Sequence, residues 1–113
     1  MTFAPPQGPR PLVAVASSSG STVDTHLGQA REFRIYGLDE GRVRLTGTRP
    51  APAPGDGDMR WEGLAEVLSD CSYLLVASVG RKPLEILASR GLTVIEAEGW
   101  VLSLVRQLYG LDE

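Results

Sequence analysis

The sequence is poor in metal-binding side chains and has no long apolar run. Its 113 residues contain one cysteine and one histidine, which excludes an internal disulfide and a metal site built from several imidazoles. No apolar run approaches the roughly 20 residues that span a bilayer, and the first residues lack the apolar segment of a secretory signal. A formal net charge of −3 gives no basic excess to attract nucleic acid. These absences predict a soluble cytoplasmic protein with no nucleic-acid or membrane partner.

The composition is typical of one globular domain. Apolar residues make up 42% of the chain and charged residues 22%, close to ordinary usage. The segment Met1–Pro11 holds four prolines and a glycine, which excludes a helix or a central strand there. We expect residues 1–11 to form a flexible leader and residues 12–113 to form a single monomeric α/β domain.

Short apolar runs separated by glycine and proline predict five strands. The first run is continuous rather than alternating, which is typical of a strand covered on both faces. The second and third runs alternate across a turn at Asp39–Gly41, as in a hairpin, and the loop or lid Gly47–Asp58 follows them. The predicted strands are Leu12–Ala16, Glu32–Leu38, Arg42–Thr46, Tyr73–Ala77 and Leu92–Ala97.

Three segments have the apolar spacing of helices. The first begins near Asp58, a candidate N-cap, and the second ends at Gly91, a candidate left-handed cap. The third covers Val101–Leu108, and its apolar stripe is assigned to the core. The apolar faces of the first two helices comprise Trp61, Leu64, Ala65 and Leu68, and Leu84, Leu87 and Ala88.

The order βββαβαβα predicts a mixed five-stranded sheet with helices covering it. The sheet would run from the hairpin edge through the Phe33, Leu12 and Tyr73 strands to the Leu92 strand. The loops Ser17–Gly28 and Ser78–Pro83 would then leave the carboxyl ends of two adjacent parallel strands. A crevice between such loops is the usual ligand site of these sheets.

The loop Ser17–Gly28 contains the only histidine, His26. Imidazole is a common ligand of transition metals and also an acid or base, although a surface or capping histidine fits the pattern as well. Hydroxyl and backbone donors in this loop suit an anion, and they equally suit ordinary turn chemistry. The candidate donors in this loop are Ser17, Ser18, Ser19, Ser21 and Thr22.

Basic residues follow the other loop. Gly80, Arg81 and Lys82 precede a helix, where free N–H groups and two cations would suit an anion. Solvated surface charge is the alternative, and Arg31 is either a further lining residue or a surface charge. Cys71 lies at the amino end of its strand, opposite the crevice, which favours structural packing over metal ligation. The scattered aspartates and the serine-rich loop give little support for an enzyme.

Several motifs resemble the dinitrogenase iron-molybdenum cofactor biosynthesis family. They are VDTHLGQA at 23–30, the Asp70–Cys71 pair before a buried strand, and Val79–Gly80 after it. The similarity extends over about Leu12–Leu111. Its histidine motif has Leu27 where phenylalanine is more usual in the family, and the post-hairpin segment, which carries a cysteine in some relatives, is APAPG at 51–55.

The resemblance implies a ribonuclease H-like fold and a carrier or chaperone of nitrogenase cofactor assembly, not an enzyme. The cargo would be an iron–sulfur precursor or the finished iron-molybdenum cofactor, held transiently with His26 as the metal ligand. The partners would be cofactor-assembly proteins or apo-nitrogenase. The alternative is a protein-interaction domain that keeps the fold without a cluster. The expected cofactor-binding residues are Ser17, Ser18, Ser19, His26, Gly28, Gly80, Arg81 and Lys82.

Overall fold

The computed structural model describes residues 3–53 and 57–111. Its centre is a mixed five-stranded sheet, as the alternation of apolar runs predicts. The described strands are β1 (Leu12–Val15), β2 (Thr22–Val23), β3 (Glu32–Asp39), β4 (Arg42–Pro50), β5 (Cys71–Val76), β6 (Thr93–Glu96) and β7 (Gly99–Trp100). The described helices are α1 (Asp58–Val67), α2 (Arg81–Ser89) and α3 (Val101–Leu108), together with a 3₁₀ turn at Leu27–Gln29.

The main sheet has the order β4-β3-β1-β5-β6. Strand β1 pairs antiparallel with β3 and parallel with β5, and β5 pairs parallel with β6. The carboxyl ends of β1, β5 and β6 therefore lie at one edge of the sheet. The short strands β2 and β7, absent from the predicted element order, pair with each other in a separate ribbon.

Helices cover both faces of the sheet. The side chains of β1 and of Ala16, which follows it, therefore alternate between two cores. Ala14 and Ala16 face a core that includes residues of α1 and α2, whereas Val13 and Val15 face a core that includes α3. All four side chains are fully buried. The continuous apolar run of β1 follows from this double coverage.

The predicted loop Gly47–Asp58 is wrong at its start. Strand β4 continues to Pro50 and pairs along the whole length of β3, with a register shift opposite Ile35 and Tyr36. Proline is tolerated there because β4 is an edge strand. Residues 54–56 of the predicted loop, like residues 1, 2, 112 and 113, lie outside the described residues.

Two details of the helices differ from expectation. Gly57, with a φ of 58°, occupies the N-cap position, and Asp58 is the first helical residue rather than the cap. In α2 only Leu87 is fully buried, whereas Leu84 is 36% exposed. Ala88 is also exposed, so the buried face of α2 is rotated away from the predicted stripe. Gly91 has the expected positive φ, 92°.

The described part of the predicted leader contacts the domain. The Phe3 and Tyr73 rings meet edge to face with centroids 5.6 Å apart. The Arg10 guanidinium donates to the backbone oxygen of Cys71 at 2.9 Å, and the Tyr109 hydroxyl donates to that of Pro11 at 2.5 Å. These contacts place residues 3–11 along the amino end of β5 and beside α3.

Candidate functional site

Two loops meet at the edge where β1 and β5 end. The backbone N–H of Leu27 donates to the Ser78 oxygen at 2.9 Å, and that of Ala77 donates to the Thr25 oxygen at 3.0 Å. His26 and Ser78 form an isolated parallel bridge. The segment around His26 therefore pairs with the segment that follows β5, and these bonds hold the two loops together.

His26 is exposed at this edge, and its ring is oriented by a hydroxyl group. Its Nδ1 lies 2.6 Å from the Ser78 Oγ. Gly28 lies against the other side of the ring, since a Cβ built on Gly28 would sit 3.2 Å from the His26 Nε2. The structure thus brings His26 and Gly28 together with the loop after β5, and the glycine leaves space beside Nε2.

The serines of the first loop bond mainly within the loop. The Ser17 hydroxyl donates to the Thr22 oxygen at 2.6 Å and accepts from the Gly20 N–H at 2.8 Å. Asp24 accepts from the Ser18 N–H and hydroxyl at 2.9 and 2.8 Å. The Ser18 N–H, and then the Thr25 and Ser18 hydroxyls, lower the pKa of Asp24 because they stabilise its charged form. The Ser19 hydroxyl accepts from the Ser21 N–H. These bonds shape the loop and use groups that were expected to face an anion.

The basic residues after Gly80 point to partners outside the predicted crevice. Arg81 pairs with Glu85 at 3.4 Å, and Lys82 pairs with Asp58 of α1 at 3.2 Å. The Val79 N–H donates to a carboxylate oxygen of Glu96 at 3.0 Å. An acidic side chain thus lies beside the start of α2, where an anion seat was expected. Neither interaction brings Arg81 or Lys82 to His26.

A cavity of about 540 Å³ adjoins the 3₁₀ turn. Two arginines line it: Arg31, considered from the sequence, and Arg60 of α1, which the sequence analysis missed. The Arg60 Nη2 donates to the Gly28 oxygen at 2.9 Å. No local pattern marks Arg60, because it is one of several charged residues in α1 and only tertiary contact brings it to the turn. The lining residues are Gly28, Gln29, Ala30, Arg31, Ala51, Pro52, Ala53 and Arg60.

Cys71 lies at the opposite end of β5 and is fully buried. Burial raises the pKa of its thiol to about 12, because the thiolate would lose solvation. Cys71 lies seven positions before Ser78, the residue that contacts His26, and this stretch of extended chain corresponds to roughly 20 Å. Cys71 and His26 therefore lie too far apart to bind one metal ion.

The described ranges, 3–53 and 57–111, contain no cluster of three or more histidine, cysteine, aspartate or glutamate side chains arranged to hold a metal ion. No helix within them is long and apolar enough to cross a membrane.

Comparison with known proteins gives related sequences and related folds. The chain is 45% identical over 96 residues to the FeMo cofactor biosynthesis protein NifB of Chlorobaculum tepidum, covering 83% of this chain and 23% of that protein. It is 36% identical over 92 residues to NifB of Frankia alni, covering 75% and 18%. The chain thus spans about a fifth of the length of these relatives.

A solved structure shares the fold. The crystal structure of PH0822 matches with a TM-score of 0.66 at 20% identity, covering 88% of this chain and 90% of that one. The family model described as dinitrogenase iron-molybdenum cofactor matches residues 9–109. Because that match includes nearly the whole chain, with His26 and both loops of the edge, this protein belongs to the dinitrogenase iron-molybdenum cofactor family.

Proposed function

We propose that this domain serves iron-molybdenum cofactor biosynthesis by holding a metal–sulfur cargo at His26, at the edge of the sheet where β1 and β5 end. The family match and the NifB relatives support the role in biosynthesis. The cargo is an iron–sulfur precursor or the finished cofactor, and its exchange partners are cofactor-assembly proteins or apo-nitrogenase. The domain carries the cargo without catalysing a reaction on it.

The contact between His26 and Ser78 is the observation that carries the proposal. When Nδ1–H donates to the Ser78 Oγ, the exposed ring presents the unprotonated Nε2 to solvent. Metal-binding histidines are typically oriented in this way, through a hydrogen bond from the second ring nitrogen. Gly28 adds to the fit, because it leaves the space beside Nε2 free of a side chain.

A single protein ligand suits transient binding. The sequence has one histidine and one cysteine, and the buried Cys71 lies roughly 20 Å from His26. The cargo would therefore keep most of its own ligands and exchange one of them for the His26 imidazole. Such attachment can be reversed by a receiving protein that offers more ligands.

A protein-interaction domain without cargo is the second candidate. The exposed Trp100 and Leu102, at 66% and 54% exposure, favour it because adjacent exposed apolar side chains are a feature of contact surfaces. Together with Gly20 and Ser21 they line a small cavity beside the loop that contains His26. This surface could serve an exchange partner in either case.

Anaerobic comigration tests the two candidates. Isolated cofactor or precursor is mixed with the wild type, and iron is measured in the protein fraction after gel filtration. We expect iron to comigrate with the wild type and to decrease about tenfold or more in His26→Ala. Gly28→Ala, which keeps the imidazole and adds a methyl group beside Nε2, should also bind less iron.

Cys71→Ala is the matched control, because it removes the thiol, the other candidate metal ligand, and should retain the cargo. Absence of iron from the folded wild type would favour the interaction domain. Equal iron in the wild type and His26→Ala would exclude His26 as the ligand.

A further inference from the structure

The cavity beside the 3₁₀ turn has the charge of an anion site. Its lining includes Arg31 and Arg60, and no acidic side chain lines it among residues 3–53 and 57–111. Gln29 adds an amide, and the remaining lining is glycine, alanine and proline, whose small side chains leave the arginines accessible from the cavity. A volume of about 540 Å³ is in the range of small-molecule sites.

Arg60 is held in place by two contacts that leave donors unused. Its guanidinium carbon lies 4.5 Å from the centroid of the Trp61 ring, and Nη2 donates to the Gly28 oxygen. Its Nε is buried and has no hydrogen-bond partner among the described residues. An unsatisfied buried donor is unfavourable and is unusual in a native protein.

Arg31 brings a second positive charge to the same cavity. Its side chain is exposed, and it forms no ion pair within residues 3–53 and 57–111. Its backbone oxygen accepts from the Ala51 N–H at 2.8 Å, which fixes the turn against the end of β4. By contrast, Arg81 and Lys82 each pair with a carboxylate.

We propose that Arg31 and Arg60 form a binding site for a small anion bearing carboxylate or phosphate oxygens. Planar guanidinium groups match both groups through paired hydrogen bonds. Gly28 connects this site to the proposed cargo site, because its oxygen accepts from Arg60 while its Cα faces the His26 ring. The anion is either free in solution or an anionic group of the cargo, and this second source rests on the proposed function.

Titration of the protein with citrate and with inorganic phosphate tests the site without any cluster. We expect the backbone amide signals of Gly28, Gln29 and Ala51 to shift in nuclear magnetic resonance spectra as either anion is added. Arg60→Gln should weaken binding about tenfold or more, as expected for loss of a charged hydrogen bond. Arg31→Gln should weaken it as well, and it leaves the Arg60 contacts intact.

Arg42→Gln, on the hairpin and away from the cavity, is the control and should bind like the wild type. Equal loss in all three variants, or shifts spread over the whole surface, would contradict the proposal and indicate screening of net charge. Absence of any shift with citrate and phosphate would also overturn it. Cargo binding measured separately in His26→Ala distinguishes this outcome from failure of the proposed function.

Anaerobic cargo titration of Arg31→Gln distinguishes the two sources. If the anion is part of the cargo, this variant should bind the cargo about tenfold or more weakly, and citrate should compete with the cargo in the wild type. If the anion is free, cargo affinity should be unchanged, and citrate should bind alongside the cargo.

Discussion

The two ends of β5 place the single cysteine and the single histidine, the two candidate metal ligands, in opposite surroundings. At the amino end, Cys71 is sealed in the core, and its backbone oxygen accepts from Arg10. At the carboxyl end, His26 is exposed and contacts the Ser78 hydroxyl. One ligand is thereby withheld from solvent, whereas the other is presented to it. Residue type alone does not identify a site, and burial decides which ligand can act.

Both ends also carry a carboxylate with a lowered pKa, for different reasons. Asp70 receives two bonds from the Arg49 guanidinium, at 2.6 and 2.9 Å, and these hydrogen bonds lower its pKa most. The pKa of Asp24 is lowered chiefly by the Ser18 N–H. The amino end is thus stabilised by an ion pair, and the site loop by neutral donors.

Leu64→Ala should have the largest effect, because it removes packing on which both ends depend. Leu64 is fully buried between α1 and the sheet. We expect the free energy of unfolding to fall by about 2–5 kcal/mol in urea denaturation. A loss under about 0.5 kcal/mol, the range of surface substitutions, would place this helix face outside the core.

Cys71→Ala should lower stability by about 1 kcal/mol, because a small buried group is lost, and should leave cargo binding unchanged. The unmodified thiol should also react slowly with alkylating reagents. With a pKa of about 12, roughly one thiol in ten thousand is ionised at pH 8. Rapid alkylation of the native protein would show that the Cys71 thiol is accessible. Loss of cargo binding in a folded Cys71→Ala variant would show that Cys71, and not only His26, takes part in binding.

Asp70→Asn and Asp24→Asn should each cost less than about 1 kcal/mol, since both carboxylates are partly or fully exposed. A folded pKa below the unfolded value stabilises the protein above the unfolded pKa, and this stability is lost as pH falls through the folded pKa. Each variant should therefore flatten the acid limb of the stability curve below about pH 4. High salt should reduce the Asp70 effect more than the Asp24 effect, because only Asp70 pairs with a cation. An equal salt dependence of the two effects would contradict the distinction between an ion pair at Asp70 and neutral donors at Asp24.

Ser78→Ala should have the smallest effect on stability and a clear effect on the site. It removes the hydroxyl that orients His26, and loss of such a group typically weakens metal binding about tenfold or more. Serine to threonine at the same position keeps the hydroxyl and should restore part of the affinity. Unchanged cargo affinity in Ser78→Ala would show that the Ser78 hydroxyl does not orient the His26 ring for binding.

Much of the fold follows from local sequence. The continuous run Val13–Ala16 predicts a strand covered on both faces, and the positive φ of Gly91 follows from its place after an apolar helix. The end of β4 does not follow, because Gly47 and Pro50 favour a loop while pairing with β3 favours a strand. The ribonuclease H-like label stays a prediction.

The site is less predictable, because its contacts join segments far apart in the chain. The sequence makes His26 a candidate, but it does not show the contact with the hydroxyl of Ser78, which lies 52 residues away. It likewise cannot show that Lys82 pairs with Asp58, or that Arg60 reaches the Gly28 oxygen. Hydroxyl-rich turns suit both a ligand and their own backbone, so the internal bonds of Ser17 and Ser18 could not be inferred.

The most direct test of the account is to detect the nitrogen ligand of the bound cargo. Because the chain has a single histidine, protein labelled with ¹⁵N-histidine and purified without a histidine tag can report only on His26. Pulsed electron paramagnetic resonance of the paramagnetic cargo–protein complex should show coupling to an imidazole ¹⁵N, and His26→Ala should lack it. Bound cargo without ¹⁵N coupling in the wild type would contradict coordination by His26.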